Sequence, residues 1–525
     1  MNRLKGIPYG ISDFNRLRND NFYFVDKTIY LPLIERMPSY LSLTRPRRFG
    51  KSLFLSMMRT YYDLLQRDNF DRYFGDLWIG AHPTDQRNHY QVLYFDFSKA
   101  GCSVPGDGMM ASFNEYSSLV INQFADDYAS FYDPDFKSTV ESISSAKAKL
   151  SYIELKAKAK GYPLYLTIDE YDNFTNVILS EHGQKMFHDL THASGFYREY
   201  FKQYKGMFDR IFLMGVSPVT LDDLSSGYNI DWNISTDSRF NAMMGFSETE
   251  VREMFRYYQE NDALPGDIEA MIAEMKPWYD NYCFARMSLG DDRVFNCDMT
   301  LYYLRSQFDF HRSPEEMVDK NIRTDYSKLK MLARIDHDSA HEGSRMSTIE
   351  EIATKGEILV NLHTSFPAER VADVDNFRSL LYYYGLLTMC GTRGDRLRMC
   401  IPNHCVREQY FGFLREYYQQ AHPLDLSRLK DQIDDLAYDG VWKPFFESIA
   451  CAYRENSSVR DGMEGERNLQ GFLKAYLALA SYYLVEPELE MNYGYCDFFL
   501  LPDKQRYRTL STAASSNSNT LPAPL

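Results

Sequence analysis

The length, composition and charge of the chain exclude several classes of protein. At 525 residues it is too long for one hydrophobic core, which excludes a single compact domain. Hydrophobic residues make up 44% and charged residues 25%, which indicates a globular rather than a disordered chain, and the net charge of -15 restricts any nucleic-acid site to a local patch.

Neither a membrane span nor a signal peptide is predicted. No stretch approaches the roughly 20 apolar residues of a span, and residues 1–12 lack the apolar core of a signal peptide. We therefore expect a cytoplasmic protein with no membrane partner. The 8 cysteines lack the paired spacing of a zinc site, and we expect reduced core residues.

Four apolar runs predict buried strands that alternate with helices after a short N-terminal segment, residues 1–38. The runs are 40–44, 92–95, 164–168 and 211–216. Helical patterns lie around residues 109–131, 139–160 and 181–205. The alternation predicts an α/β fold, in which helices cover both faces of a parallel sheet, over residues 39–244.

The rest of the chain predicts further segments. Residues 245–330 are helical and are interpreted as a lid that begins with a capping-box pattern at Ser247 and Glu250. Residues 331–425 predict a small α+β or winged-helix-like module, with a hairpin-like segment near its end. Residues 426–510 are helical and then strand-like, and residues 511–525, rich in Ser, Ala, Asn and Pro, are expected to be disordered.

A Gly-Lys-Ser turn follows the first predicted strand and opens a helical pattern. In a phosphate-binding loop the backbone N–H groups surround the phosphates, the lysine neutralises the β and γ oxygens, and the serine hydroxyl binds Mg²⁺. The usual pattern has a glycine where this chain has Arg45, and that glycine normally permits the tight first bend. The predicted ATP-binding residues of this loop are Arg47, Arg48, Phe49, Gly50, Lys51, Ser52 and Leu53.

Polar residues at the ends of later strands extend the predicted site. After the third strand, Asp169 would hold Mg²⁺ together with Ser52, and Glu170 would orient and deprotonate the attacking water. Such a pair can also simply mark a strand that leaves the core. Ser217, after the fourth strand, would lie beside the γ-phosphate, or would only form a turn with Pro218. In this order the residues favour ATP binding, with Lys51 and Glu170 catalytic.

Several arginines are candidates for additional roles. Arg45, Arg47 and Arg48 form a basic cluster in the sequence that could stabilise phosphate charge or contact a partner, the alternative being local ion pairs. Arg239 lies beyond the last core strand and could act as an arginine finger.

These residues resemble the AAA-ATPase-like family that is abundant in Bacteroidetes and occurs in some other microbes. The resemblance implies a P-loop NTPase fold and makes Arg45 a family trait rather than a defect. It is strongest at residues 45–53 and extends to residues 23–28, 168–172, 215–218, 278–282 and 401–403.

Members of that family often end in a PD-(D/E)XK nuclease-superfamily domain, and residues 426–510 are similar to a truncated one. Glu466, Glu488 and Asp497 resemble carboxylates that hold a divalent metal in that fold. The Glu-x-Lys expected on the next strand is missing, so we favour vestigial, solvated or hairpin carboxylates over an active centre. A natural truncation, a frameshifted end and a regulated pseudo-nuclease would all give this pattern.

The leading hypothesis is an ATPase that uses ATP and Mg²⁺ and couples its nucleotide state to the lid and the degenerate nuclease-like segment, against a nucleic acid or protein partner. One alternative is an ATP-gated scaffold without appreciable hydrolysis. A second is a metal-dependent nuclease completed by another chain. An oligomer is compatible with all three.

Overall fold

The structure is a computed structural model that divides into two compact units. The N-terminal unit comprises Met1–Pro314, Arg334–Asp338 and Val360–Leu397, and the remaining residues form the C-terminal unit. The residues that the structure describes are 3–100, 107–173, 176–177, 196–219, 232–291, 293–319, 327–333, 339–367, 370–371, 373–421, 424–457, 466–480, 482–491, 494–502, 510 and 515–516. The six predicted segment boundaries remain predictions.

A five-stranded parallel sheet forms the core of the N-terminal unit. Its strands are β1 (Tyr40–Thr44), β2 (Gln91–Asp96), β3 (Leu164–Asp169), β4 (Arg210–Gly215) and β5 (Trp232–Asn233), in the order β2-β3-β4-β1-β5. Every residue of β3 is buried, so both faces of the sheet are covered at its centre. The predicted parallel α/β sheet is confirmed.

The sheet order determines where the loops meet. Strand β4 lies between β1 and β3, and all pairs in this sheet are parallel. The carboxyl ends of parallel strands share one edge, which is where ligands bind in open α/β sheets. The loop after β1, the acidic pair after β3 and Ser217 after β4 therefore lie along the same edge.

Helices of the N-terminal unit flank the sheet and recur after residue 245, in the predicted lid. They are Phe14–Asn19, Leu31–Glu35, Lys51–Tyr62, Phe70–Phe74, Trp78–Ala81, Asp107–Asp127, Phe136–Ser142, Ala146–Lys160, Phe196–Tyr204, Glu248–Glu260, Ile268–Tyr279, Cys297–Phe310 and Val374–Tyr383. The prediction of one continuous helix over 139–160 is wrong, because the structure has two helices, Phe136–Ser142 and Ala146–Lys160. Ile143 and Ser145 are extended and interrupt it, and Ser145 becomes the N-cap of the next helix. Much of the helix predicted over 181–205 lies outside the described residues.

The lid begins as the sequence predicts. The Ser247 hydroxyl accepts a hydrogen bond from the N–H of Glu250 at 3.2 Å, and the Glu250 carboxylate accepts one from the N–H of Ser247 at 2.7 Å. This capping box starts the helix Glu248–Glu260 and is confirmed. Two short antiparallel strands, β6 (Phe246–Ser247) and β7 (Val294–Phe295), were not predicted.

The C-terminal unit is helical before its last strands. Its helices are Ser327–Ala333, Ser339–Lys355, His404–Ala421, Leu426–Asp434, the π-helix Asp435–Asp439, Lys443–Ser457 and Glu466–Leu477. Strands β8 (Glu357–Val360), β9 (Thr388–Arg393) and β10 (Arg396–Cys400) form a three-stranded sheet in the order β8-β10-β9. An antiparallel hairpin, β11 (Tyr483–Met491) and β12 (Gly494–Pro502), follows, and β13 (Ser515–Ser516) pairs with β12. The rest of the predicted disordered tail lies outside the described residues.

Not all described cysteines are core residues. Cys451 is exposed, because the buried residues of its helix, Phe445, Ile449 and Ala452 among them, occupy the opposite face. The expectation of a uniformly buried set is therefore wrong at this position. Within the described ranges, no helix is long and apolar enough to span a bilayer.

Candidate functional site

The loop between β1 and the helix Lys51–Tyr62 forms the first part of the candidate site. Gly50 is the N-cap of the helix and has a φ of 84°, a left-handed conformation that favours glycine. Arg48 also has a left-handed φ, of 70°, which is uncommon for a residue with a Cβ. These turns aim the helix N-terminus at the sheet edge, where its unpaired N–H groups and partial positive charge attract anions.

Lys51 places a positive charge between this loop and the acidic pair. Its Nζ donates hydrogen bonds to the carbonyl oxygens of Arg45 and Pro46, both at 3.2 Å. The same atom lies 3.9 Å from Oε1 of Glu170, and the lysine side chain is only 4% exposed. A small movement of this ammonium group would bring it to an anion held in the loop.

Asp169 and Ser52 are neighbours across the site. Burial raises the pKa of Asp169 to about 6, while a hydrogen bond with the Ser52 side chain opposes that increase. The Asp169 carboxylate also accepts a hydrogen bond from the N–H of Glu170 at 3.0 Å. A hydroxyl and a carboxylate together offer the oxygen ligands that Mg²⁺ prefers.

Any cation at this place would need further ligands from outside the protein. In the part of the chain that the structure describes, no group of three or more His, Cys, Asp or Glu side chains could hold a metal ion. Mg²⁺ usually binds one or two protein oxygens and completes its octahedron with phosphates and water. Ser52 and Asp169 fit that donor set.

Glu170 has a strained backbone at the point where it faces Lys51. Its φ is 51°, and a left-handed residue with a side chain costs ~1–3 kcal/mol. Such residues persist only where their surroundings hold them, and they concentrate at functional sites. Its neighbours supply that support.

Tyr171 and Asp172 join the acidic loop to the end of β4. The Asp172 carboxylate accepts hydrogen bonds from the N–H groups of Val216 at 3.0 Å and Ser217 at 2.7 Å. Tyr171 donates its hydroxyl to the Ser217 carbonyl at 2.8 Å. Sequence analysis assigned no role to this pair. The available signal was Gly215, a glycine in a buried strand, which marks a close approach of neighbouring groups.

The structure supports a turn-forming role for Ser217. Its hydroxyl accepts a hydrogen bond from the N–H of Val219 at 3.3 Å, and its backbone is held by Tyr171 and Asp172. The residue is almost fully buried at the sheet edge. The hydroxyl thus takes part in a local turn and keeps its own hydrogen to donate, so its place beside the γ-phosphate stays a prediction.

Arg45 does not belong to a basic cluster at the phosphate loop. Its guanidinium donates to the carbonyls of Thr44 at 3.0 Å, Ser235 at 2.6 Å and Phe240 at 2.9 Å, and lies 4.4 Å from the centre of the Phe284 ring. It is 1% exposed, and burial lowers its pKa to about 10. These carbonyls draw the side chain into the interior, which corrects the expected cluster.

The other arginines have separate environments. Arg47 is exposed, whereas Arg48 faces the Asp298 carboxylate, with Nη1 and Oδ2 3.7 Å apart. Arg239 is paired with Asp237 through three contacts, Nε to Oδ1 at 3.0 Å, Nε to Oδ2 at 3.2 Å and Nη2 to Oδ2 at 2.5 Å. The guanidinium of Arg239 is thus directed at its own loop.

An apolar cavity of about 690 Å³, including its open mouth, adjoins Gly50. Phe49 and Leu53 line it, together with the N-terminal residues Tyr23 to Val25 and lid residues such as Met254 and Leu301. Phe49 also packs edge to face on Tyr282, with ring centres 4.8 Å apart, which joins the loop to the lid.

Lys27, which lines this cavity, forms a partly buried ion pair with Glu250. Lys27 donates to the Ala242 carbonyl at 2.9 Å and to the Glu250 carboxylate at 2.7 Å. The side chains are 10% and 22% exposed. Glu250 is also the capping-box acid, so the pair connects the N-terminal segment to the start of the lid. Sequence analysis did not single out this contact.

The three nuclease-like carboxylates lie on the last elements of the chain. Glu466 begins the helix Glu466–Leu477, Glu488 lies in β11 and Asp497 in β12. The backbone register between the pairs Pro487–Phe498 and Leu489–Cys496 places positions 488 and 497 opposite each other. Their side chains lie outside the described residues.

Comparison with known proteins gives two family matches. Residues 8–225 match the model described as predicted AAA-ATPase, AAA-ATPase-like, and residues 464–512 match the PD-(D/E)XK nuclease superfamily. An uncharacterized protein in the vnfD 5' region of Azotobacter chroococcum mcd 1 is 29% identical over 318 residues, which are 58% of this chain and 53% of that protein. The match thus spans about half the length of that relative.

Solved structures give weaker similarities. Cdc6p from Pyrobaculum aerophilum is 11% identical with a TM-score of 0.27, over 74% of this chain and 92% of that one. The ORC2 protein of Aeropyrum pernix, in ADPNP-ADP complexes, is 12% identical with a TM-score of 0.34 over the same shares, 74% and 92%. The A. pernix ORC1 protein, in complex with DNA, is 10% identical with a TM-score of 0.27, over 76% of this chain and 90% of that one. Scores of this size carry no argument about function.

Proposed function

Because residues 8–225 match the AAA-ATPase-like family model, we propose that this chain binds Mg-ATP at the carboxyl edge of its parallel sheet and hydrolyses it to ADP and phosphate. The observation that carries the proposal is the position of Lys51. Its ammonium lies between the phosphate loop and Glu170, at the N-terminus of a twelve-residue helix. A polyanion that enters the loop meets both the helix N-terminus and this charge.

In this proposal the loop binds the phosphates. The backbone of Arg47, Arg48 and Phe49 and the first N–H groups of the helix surround them, and Gly50 supplies the left-handed turn. Lys51 exchanges the carbonyls of Arg45 and Pro46 for phosphate oxygens. That exchange is favourable because a charged acceptor forms a stronger hydrogen bond than a neutral carbonyl.

Ser52 and Asp169 would hold Mg²⁺, which when bound neutralises developing charge on the phosphates. At pH 7 the Asp169 carboxyl is mostly ionised, since its pKa is about 6. A cation offsets the unfavourable burial of that negative charge. Glu170 orients the attacking water and accepts its proton.

The apolar cavity is the proposed site of the nucleobase. Phe49 and Leu53 connect it directly to the phosphate loop, and the N-terminal segment and lid close its other sides. The Lys27–Glu250 ion pair holds those two sides together. A nucleobase in the cavity would therefore contact both the N-terminal segment and the lid.

The role of the remaining chain is also proposed. The match of residues 464–512 supports a nuclease-like segment whose state follows that of the nucleotide, with a nucleic acid or protein partner. Such an ATPase needs a compartment that supplies ATP, as the cytoplasm does.

Two substitutions test the ATPase. Lys51→Ala should abolish equilibrium binding of a fluorescent ATP analogue, because the phosphates lose their principal counter-charge. Glu170→Gln should bind the nucleotide but release little phosphate. The control is Lys158→Ala, which removes a 65% exposed lysine paired with Glu154 and should leave both readings unchanged. Full turnover in both site variants would refute the proposal.

Phosphate release also distinguishes the alternatives. Intact ATP binding with release no faster than in buffer would support an ATP-gated scaffold. The nuclease would be supported by cleavage of DNA or RNA that depends on Mg²⁺ or Mn²⁺ and is lost in Asp497→Ala. The structural reason to test it is that positions 488 and 497 lie opposite each other in the hairpin. Nucleic acids left intact with both metals would count against it.

A further inference from the structure

Asp172 is a buried carboxylate outside the set that the proposed reaction uses. It is 1% exposed, and its oxygens accept hydrogen bonds from three donors. These are the N–H groups of Val216 at 3.0 Å and Ser217 at 2.7 Å, and Nδ2 of Asn176 at 2.7 Å. Burial of an ionised carboxyl is unfavourable unless such donors compensate it, so the arrangement requires a specific geometry.

The same segment is attached to β4 by further contacts. The N–H of Tyr171 donates to the Met214 carbonyl at 3.2 Å, and the Tyr171 hydroxyl donates to the Ser217 carbonyl at 2.8 Å. Gly215 leaves room for this approach, because a Cβ there would lie 2.2 Å from Oδ1 of Asp172. The two residues after Glu170 are thus fixed to the end of β4.

Glu170 lies between two anchored neighbours. Asp169 is the last residue of β3 and pairs in register with Asp96 of β2, while Tyr171 is held by β4. The left-handed backbone of Glu170, with φ of 51°, relaxes to a common conformation only if one of these anchors moves. The contacts of Asp172 therefore hold the direction of the Glu170 carboxylate toward Lys51.

We propose that Asp172 is a positioning residue for ATP hydrolysis, which fixes Glu170 and Ser217 in one arrangement by bonding the acidic loop to the end of β4. This inference rests on the proposed ATPase function. Asp172 acts through Glu170 and the β4 backbone and does not contact the nucleotide. Its loss should lower the rate of the chemical step while nucleotide binding by the loop persists.

Asp172→Asn is the appropriate variant because it keeps the shape of the side chain. Its amide oxygen can accept from one backbone N–H, but its NH₂ group faces the second donor and leaves that bond unmade. Asp63→Asn is the matched control. Asp63 is a partly exposed carboxyl whose pKa is likewise raised by burial, to about 6, and it accepts from the Leu65 N–H and the Tyr128 hydroxyl, both at 2.8 Å. It follows the other end of the phosphate-loop helix.

The test measures kcat and KM for phosphate release by the full chain, with kcat calculated per folded molecule. Hydrogen exchange of the backbone amides of residues 216–217 is measured in the same variants. Asp172→Asn should lower kcat ~10- to 100-fold, as expected for a misplaced catalytic group, with KM changed less than ~3-fold and faster exchange at 216–217. Asp63→Asn should change none of these.

Each result decides one point. If the wild type hydrolyses ATP and Asp172→Asn has the same kcat, the positioning role is overturned and the ATPase proposal stands. An equal loss in Asp63→Asn would show a general effect of removing a carboxylate and would also overturn it. A wild-type chain that releases no phosphate would refute the ATPase, and the hydrolytic role of Asp172 with it.

Discussion

Replacement of Asp169 by Asn should stabilise the nucleotide-free protein while it destroys the proposed Mg²⁺ site. Burial, together with the charges of Glu170 and Asp96, raises the pKa of this carboxyl from 3.8 to about 6. A raised pKa means that the folded state resists ionisation. Stability contributed by the protonated carboxyl is complete below pH 3.8 and is lost as the pH rises through about 6.

The magnitude follows from the difference between the two pKa values. At 1.36 kcal/mol for each pH unit, the change from 3.8 to about 6 corresponds to ~3 kcal/mol at pH 8 and to about half of that at pH 5. An asparagine carries no charge and keeps an oxygen for the N–H of Glu170. For a unit of about 350 residues, with an unfolding entropy of ~2.1 cal/mol/K per residue, ~3 kcal/mol raises the unfolding midpoint by ~4 °C.

Thermal unfolding of the wild type and Asp169→Asn, in EDTA and without nucleotide, measures this effect. Under these conditions the variant should unfold ~4 °C higher at pH 8, and the gain should fall by about half at pH 5. When Mg-ATP replaces EDTA, it should stabilise only the wild type. A variant less stable than the wild type at pH 8, or a difference independent of pH, would refute the argument.

Three further substitutions test contacts around the site. Arg45→Gly restores the usual first glycine, yet it should lower the unfolding midpoint and weaken ATP binding. The reason is that three buried carbonyls lose a hydrogen-bond donor, at a cost of ~1–3 kcal/mol each. Tighter ATP binding in a titration would contradict this. Gly215→Ala should cost ~1–3 kcal/mol in denaturant unfolding, because its Cβ would lie 2.2 Å from the Asp172 carboxylate, and an unchanged midpoint would contradict that overlap. Lys27→Met should destabilise the chain by up to ~3 kcal/mol, and Lys27→Met with Glu250→Gln should recover part of the loss; a double variant no better than the single one would exclude the ion pair as the cause.

The strands were predictable because buried parallel strands form continuous apolar runs. The predicted runs 40–44 and 164–168 differ from β1 and β3 by at most one residue. Their order in the sheet was not predictable, since no local pattern specifies that β4 separates β1 from β3. The break at residues 143–145 was missed because its serines fit a helical pattern as well as a cap.

Side-chain destinations were less predictable than the motif. The Gly-Lys-Ser turn is local, so its helix and its left-handed Gly50 follow from the sequence. Arg45 looked basic and accessible, but its carbonyl partners Ser235 and Phe240 are about 190 positions away. The β4 partners of Asp172 and the partners of Lys27 are likewise distant in sequence, at least 44 and 215 positions away. Single-sequence patterns carry no information on such pairs.

The position of β4 has a geometric consequence for what the sheet edge can hold. Neighbouring strands lie ~4.8 Å apart, so one intervening strand separates the ends of β1 and β3 by ~10 Å. Adjacent strands would place the two strand ends at about half that distance. Strand β4 thus acts as a spacer whose width is fixed by backbone hydrogen bonds, so the loops can vary in sequence while the span between them stays constant.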